Sequence, residues 1–235
     1  MNVRSNTLRH MLLLASLALL PLTLNAFSPM LSLSGAIAGI VTASLIVFAL
    51  QFVASLFLRR MFCGWLCPMA FLGEQLTDKK PKHLRTIRIV HFSFFFVWFG
   101  LLTWFLVSGQ VRKIDLDYPN HDGLAVTDRQ GYLIYLSVLL LFFVLTLLLG
   151  KRGACHSVCW MSPLMMAGAN VGEWLRLPQL RIRTVPEACI HCGACTRVCP
   201  MSVPVEAALQ KGEIRHFDCV FCRQCVAVCP KHVLK

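Results

Sequence analysis

Acidic residues are scarce in this 235-residue chain: 11 Asp and Glu stand against 23 Lys and Arg, and charged residues make up only 14%. With 57% hydrophobic residues and a mean hydropathy of +0.65, that poverty of charge excludes disorder and lies far from an ordinary soluble domain. The marks of nucleotide and nucleophile chemistry are missing too. There is no P-loop, no dinucleotide-binding glycine fingerprint, no G-x-S-x-G elbow and no C-x-x-C-H haem attachment. No residue therefore stands out as a catalytic acid, base or nucleophile. The net charge of +12 could suggest nucleic acid, but the excess lies beside apolar segments, so nucleic acid is not an expected partner.

What the chain does have is apolar length. Four runs, Met11 to Phe27, Gly35 to Phe57, Ile89 to Ser108 and Tyr132 to Leu149, approach the ~20 residues a helix needs to cross a bilayer. The expected fold is an α-helical membrane protein with four transmembrane helices in two hairpins. A cleaved signal peptide is the alternative for the first run, which carries Pro21 and Asn25. Basic residues give the sidedness. Arg4 and Arg9 precede the first run and seven Lys and Arg separate the second from the third. Only three lie between Gly109 and Gly131, where Asp115, Asp117, Asp122 and Asp128 also fall, and eleven follow the fourth run. Both termini and the middle loop are expected in the cytoplasm, in a bacterial inner membrane. Ser28 to Ser34 reads as a tight outer hairpin. The loop from Leu72 to Arg88 reads as lying on anionic headgroups. His121, Asp115 and Asp117 could take protons from a quinol, against the plainer reading of a solvated outer loop.

Cysteine is abundant, with 12 residues in three sets of four. Cys189, Cys192, Cys195 and Cys199 lie in CIHCGACTRVCP, and Cys219, Cys222, Cys225 and Cys229 in CVFCRQCVAVCP. Each cysteine of the second run lies thirty residues after its counterpart. C-x2-C-x2-C-x3-C-P is the bacterial ferredoxin run, in which the fourth thiolate reaches over to the other 4Fe-4S cluster. Cys189, Cys192, Cys195 and Cys229 are thus expected on one cluster, and Cys219, Cys222, Cys225 and Cys199 on the other. Pro200 and Pro230 should end local helix after each remote ligand. Zinc knuckles pair two C-x2-C elements instead, and disulfides do not suit a cytoplasmic face. The expected division is a membrane domain over residues 1–180 and a double 4Fe-4S ferredoxin domain over 181–235.

The last four cysteines make a second repeat, offset by 92 residues: Arg59-Arg60-x2-Cys63-x3-Cys67 after the second run and Lys151-Arg152-x2-Cys155-x3-Cys159 after the fourth. On a helix, positions i and i+4 share a face, so each pair could present both thiols in one direction and the two pairs could form a membrane-edge site. Iron-sulfur chemistry, a redox-active thiol set, a zinc or copper site and small buried apolar cysteines all stay open for it. Trp65 and Trp160 read as interfacial anchors rather than redox relays, His156 as a surface histidine with an extra ligand as the alternative, and His191 as a neighbour that tunes cluster solvation.

FCGWLCP after one span, a second C-x3-C after a later one, and the two ferredoxin runs together resemble the NapH-type membrane ferredoxin proteins of periplasmic nitrate reduction. The wider group holds the membrane iron-sulfur portions of nitrous-oxide reductase regulators (NosR) and cytochrome oxidase accessory proteins. The resemblance runs from about Arg59 to the C-terminus. It implies a quinol dehydrogenase component that passes electrons from menaquinol or ubiquinol, through two 4Fe-4S clusters, toward a respiratory reductase. The implied partners are the quinone pool and periplasmic or membrane electron-transfer proteins, iron-sulfur or multihaem cytochrome subunits. A maturation factor or a redox-sensing regulator using the same clusters and thiols is the alternative. Two departures stand out: Trp160 occupies the second motif's proline position, with Pro163 three residues on, and the first outer connection is short. The sidedness also puts all twelve cysteines on the cytoplasmic face, so electrons bound for a periplasmic enzyme need a further carrier.

Overall fold

The structure is a computed structural model that describes residues 2–77, 85–108, 113–116 and 129–235; Asp117, His121, Asp122 and Asp128 of the outer loop, and Lys79, Lys80 and Lys82 of the middle loop, lie outside the described residues. The fold is mostly helical. Thirteen α-helices are described: α1 (Asn2–Ala18), α2 (Leu20–Thr23), α3 (Pro29–Ala38), α4 (Ala43–Leu58), α5 (Met61–Trp65), α6 (Pro68–Gln75), α7 (Arg85–Ser108), α8 (Arg129–Leu149), α9 (Gly153–Ser157), α10 (Met161–Trp174), α11 (Ala194–Val198), α12 (Val205–Leu209) and α13 (Gln224–Val228).

Among the described residues two helices are long and apolar enough to cross a membrane, Ile87–Ser108 within α7 and Arg129–Leu149, with only 22% and 6% of their apolar windows buried inside the protein. They coincide with the third and fourth apolar runs. The first two runs are not continuous helices. Met11 to Phe27 breaks at Leu19, where Pro21 opens α2 and removes a backbone donor. Gly35 to Phe57 breaks at Gly39, whose left-handed φ of 70° ends α3, and Thr42 then caps α4 by accepting from the Leu45 N–H at 3.4 Å. Ser28 to Ser34 is no hairpin loop either. Ser28 caps α3 and Pro29 occupies its first turn, where the missing N–H costs nothing.

Helix α7 is dense in aromatics from Phe92 to Phe99, and one face of it is buried. Phe95, Trp98 and Leu102 recur at helical spacing and pack with Phe48 of α4 and Leu164 of α10, and the Trp98 indole donates to the Pro29 carbonyl at 3.0 Å. Phe94 and Phe96 on the other sides are exposed.

Helix α10 lies closely along α4 because its facing residues are small. A Cβ on Gly168 would meet the Ser55 hydroxyl and stand 2.9 Å from the Phe52 carbonyl oxygen, and one on Gly172 would meet the Leu56 carbonyl. Glycines at i and i+4 allow this approach of two backbones. Gln179 then closes the end of the pair, donating to the Leu56 carbonyl at 2.9 Å and the Ala169 carbonyl at 2.8 Å. Gly168→Leu should force the two helices apart and cost about 1–3 kcal/mol or more by overpacking. A thermal melt in detergent unchanged from that of the native protein would contradict this contact.

Four short strands are found among the described residues. β1 (Ile40–Val41) pairs in parallel with β2 (Lys113–Ile114), and β3 (Ile182–Arg183) pairs antiparallel with β4 (Glu213–Ile214), Ile182 opposite Ile214. The second pair, with the Thr184–Leu234 bridge, holds together the ends of the segment that carries α11, α12 and α13.

Candidate functional site

The thirty-residue sequence repeat is also a backbone repeat. Three pairs of non-identical residues adopt left-handed φ at that offset: His191 and Phe221 at 54° and 53°, Gly193 and Arg223 at 66° and 59°, Ser202 and His232 both at 50°. Five of these six are not glycine, so each must be held in place against its own preference. Helices α11 and α13 each stop at a valine, and the remote cysteine that follows, Cys199 or Cys229, is extended before its proline. The sequence expectation about Pro200 and Pro230 agrees with this.

Four of the ferredoxin-run cysteines surround one cavity. Cys199 lines it together with Cys219, Cys222 and Cys225, and Ile182, Val203 and Val220 are among its apolar walls. Backbone N–H groups point at the sulfurs: Phe221 donates to Cys219, Gln224 to Cys222, and Val203 and Met201 to Cys199. Burial pushes the Cys219 thiol up to about 12, and the neighbouring thiols add to the rise. Iron would therefore have to displace protons on entering. Four sulfurs around one apolar void, each met by amide donors, fit a 4Fe-4S cube, which supplies one-electron transfer when bound. In the other half Cys195 lies in electrostatic contact with Cys229, again across the repeat. Cys192 is exposed and Cys189 half-buried, so this second quartet opens toward solvent. His191 is exposed and bonds Glu206 at 3.2 Å.

The 92-residue repeat is equally regular. In the first copy Cys63 N–H donates to Arg60 O, Cys67 N–H to Phe62 O, and Ala70 N–H to Cys67 O. In the second copy Cys155 bonds Arg152, Cys159 bonds Ala154, and Ser162 bonds Cys159, all between 3.0 and 3.2 Å. The substitution of Trp160 for proline thus leaves the local turn intact. The i and i+4 argument needs correction, however. Helix α5 ends at Trp65, Cys67 is extended, and in the second copy α9 ends at Ser157 before Cys159. Each pair brackets a helix end rather than sharing a helical face. The two pairs lie within electrostatic reach of each other: Cys67 is influenced by Cys63, Cys159 and Cys155. Burial lifts the Cys159 thiol to about 12, with Cys155 and Cys63 adding to it. The Cys63 sulfur also lies 3.5 Å from the Met165 sulfur.

Around this quartet sit three arginines with almost no exposure: Arg9 at 0%, Arg152 at 1% and Arg60 at 2%. Arg60 and Arg152 are counterparts in the repeat. Arg9 and Arg152 share the buried Glu74, with Arg152 Nε donating at 2.8 Å, while Arg9 Nε donates to Gly64 O and Arg152 Nη1 to Cys63 O, both at 2.8 Å. Burial would raise the Glu74 pKa, but Arg152 and Arg9 together hold it below the usual carboxylate value. Arg60 donates to Ser162 Oγ at 2.8 Å and to Asp218 at 3.3 Å. Burial works against its charge, and Cys63, Asp218, Cys155 and Cys159 more than offset this. Three buried guanidinium groups face two buried carboxylates, so the pocket holds a surplus of positive charge beside four thiols. These arginines had read as flanking charges in the sequence; nothing local marks them as buried.

The two cysteine systems touch. A Cβ on Gly64 would collide with the Val220 carbonyl and stand 3.4 Å from Cys222 N, and the Trp65 indole donates to the Phe221 carbonyl at 3.0 Å. Trp65 is therefore a tie between loops, and Trp160 packs on Phe94 and Trp98. Cys63, Cys155, Cys195 and Cys225 belong to one continuous core. His156 is not a surface residue: its side chain is 10% exposed and stands 3.8 Å from Asp218. Among the described residues no three His, Cys, Asp or Glu side chains converge closely enough to hold one metal ion. Thiolates on a cube, each serving its own iron, need no such convergence.

Comparison with known proteins agrees with the cysteine pattern. Residues 181–230 match the 4Fe-4S dicluster domain, and residues 40–86 match a 4Fe-4S binding domain. The chain is 28% identical over 209 residues to the Escherichia coli protein named "Putative electron transport protein YccM", covering 79% of this chain and 53% of that one. The chain thus spans about half the length of that relative. It is also 28% identical over 188 residues to the uncharacterized protein MJ0750 of Methanocaldococcus jannaschii, covering 77% of this chain and 74% of that protein. MJ0749 of the same organism is 25% identical over 190 residues, covering 78% and 67%. No solved structure matches. The chain carries two 4Fe-4S binding domains, and its likeness is to iron-sulfur electron transport.

Proposed function

We propose that this protein is a multi-pass iron-sulfur subunit of the bacterial cytoplasmic membrane that oxidises quinol and hands single electrons to a protein partner, as part of a larger complex. Cys219, Cys222, Cys225 and Cys199 hold the inner cluster and Cys189, Cys192, Cys195 and Cys229 the outer one. Cys63, Cys67, Cys155 and Cys159 hold a third iron-sulfur centre at the membrane edge. The first two apolar runs enter the bilayer as broken helices beside α7 and α8, with both termini cytoplasmic. The partner is a membrane or periplasmic iron-sulfur or multihaem protein, as in nitrate reduction.

The observation that carries this reading is the contact between the Gly64-Trp65 turn and the Val220 to Cys222 turn. A membrane-edge centre beside the inner cluster, with the outer cluster toward solvent, is an order that suits a wire from membrane to partner, and this contact supports it. The positive surplus of Arg9, Arg60 and Arg152 supports an anionic cluster at the edge, since unpaired buried charge is costly. The maturation-factor reading draws on the Met165 sulfur beside Cys63, a soft donor set that suits copper.

Metal analysis of full chain purified anaerobically separates these. Cys192→Ala should remove about four irons, one cube, and Cys63→Ala should remove about four others while leaving the reduced spectra of both ferredoxin cubes unchanged. Copper at the edge thiols, with iron unaltered by Cys63→Ala, would favour the maturation role instead.

A further inference from the structure

A cavity of about 580 Å³ lies between α1 and the ends of the two ferredoxin helices. Asn6, His10 and Leu14 line it from α1, Phe71 from α6, and Val198 and Val228 from the last turns of α11 and α13. Val198 and Val228 are counterparts in the thirty-residue repeat, and each immediately precedes a remote cysteine, Cys199 or Cys229. Because the remote ligands cross over, those two residues belong to different quartets. The cavity thus has in its wall the chain neighbour of one cysteine from each run. Its other end reaches the start of the first apolar run, at Met11 and Leu14, and its walls are largely apolar. The His10 imidazole has no hydrogen-bond partner among the described residues.

We propose that this cavity is the quinol site. The inference rests on the quinol-oxidising reading above and adds the place. A quinol is a flat ring with two hydroxyl groups on an apolar tail, and the slot offers it an aromatic neighbour in Phe71, polar groups in His10 and Asn6, and an exit along the apolar run. Oxidising one quinol to quinone breaks two O–H bonds and releases two electrons and two protons. The two electrons would leave one at a time for the clusters that the runs containing Cys199 and Cys229 would hold; His10 would accept one proton and water the other. A two-electron donor at the meeting point of two one-electron acceptors needs no second binding event.

The test uses the full chain with its clusters in place. Duroquinol is added anaerobically, bleaching of the visible cluster absorbance is followed, and dithionite bleaching and iron content serve as controls for folding. An azidoquinone photolabel is mapped in parallel by peptide analysis. The native protein should bleach and be labelled on the α1 peptide. His10→Ala should slow bleaching about tenfold, the effect of one lost hydrogen bond. Leu14→Trp, which fills the slot, should abolish both bleaching by duroquinol and labelling, with iron content and dithionite bleaching unchanged. If Leu14→Trp bleaches at the native rate and the label maps elsewhere, the site is wrong although quinol oxidation stands. If the native protein is bleached by dithionite but not by duroquinol, the quinol reading itself fails, and the site with it.

Discussion

Glu74→Gln is expected to destabilise the protein by about 3–5 kcal/mol, because it leaves Arg9 and Arg152 charged, buried and without their carboxylate. Both ion pairs are nearly inaccessible to water, with side-chain exposures of 1% and 0% for the arginines and 4% for Glu74. Solvent screening therefore gives little relief. The same pair sets an acid limit. Since the folded-state pKa of Glu74 is depressed, its stabilising contribution is complete above the ordinary carboxylate value of about 4.3 and is lost as pH falls through the lower folded value. The acid transition in Glu74→Gln should be correspondingly shallower. Replacing all three residues by Met and Leu should recover much of the stability. It should not recover the iron of the edge site if the arginines balance an anionic cluster there. Equal melting of Glu74→Gln and the native protein would show that the ion pairs are not buried together in solution.

Asp218→Asn should have an effect of similar size, about 3–5 kcal/mol, through Arg60. Asp218 also accepts from Arg88 at 3.2 Å, but Arg88 is 28% exposed and stacks over Phe217 at 4.5 Å, so its guanidinium keeps other partners. Arg88→Ala should accordingly cost only about 0–1 kcal/mol, the range of a partly solvated pair. The contrast is diagnostic. Asp218 belongs to the ferredoxin segment and Arg60 to the turn before Cys63, so Asp218→Asn should loosen one cysteine system from the other. Limited proteolysis should then cut near residues 175–181 faster in Asp218→Asn than in Arg88→Ala. Indistinguishable melting and cleavage of the two variants would refute the division of roles.

Much of the site was legible from cysteine spacing alone, because a metal cluster imposes local geometry on a short stretch of chain. The triple runs announce their own turns, and both repeats reappear in the backbone as matched φ values and matched hydrogen bonds. What the sequence hid is what depends on distant partners. Arg9 and Arg60 counted as flanking charges for topology, yet Arg9 meets Glu74 sixty-five residues on and Arg60 meets Asp218 one hundred and fifty-eight residues on. Trp65 read as an anchor at a lipid surface because its acceptor, the Phe221 carbonyl, is far along the chain.

The helices show the same limit. Ile89 to Ser108 and Tyr132 to Leu149 are readable as long helices since no proline interrupts them. Hydropathy alone joined Gly35 to Phe57 into one span, whereas Gly39 and Thr42 supply a stop and a start inside it. The local signals were present and outweighed the apolar average. The edge cysteines were misjudged in another way, because a C-x3-C spacing fits both a helical face and the two ends of a single turn.

The central claim is that twelve thiols hold iron-sulfur cubes that carry current between a membrane carrier and a protein partner. Iron and acid-labile sulfide in the full chain, purified without oxygen, test it most directly. About twelve of each per chain are expected, eight from the ferredoxin runs and four from the edge quartet, with brown colour that bleaches on reduction. A colourless protein with neither iron nor labile sulfide would contradict the account.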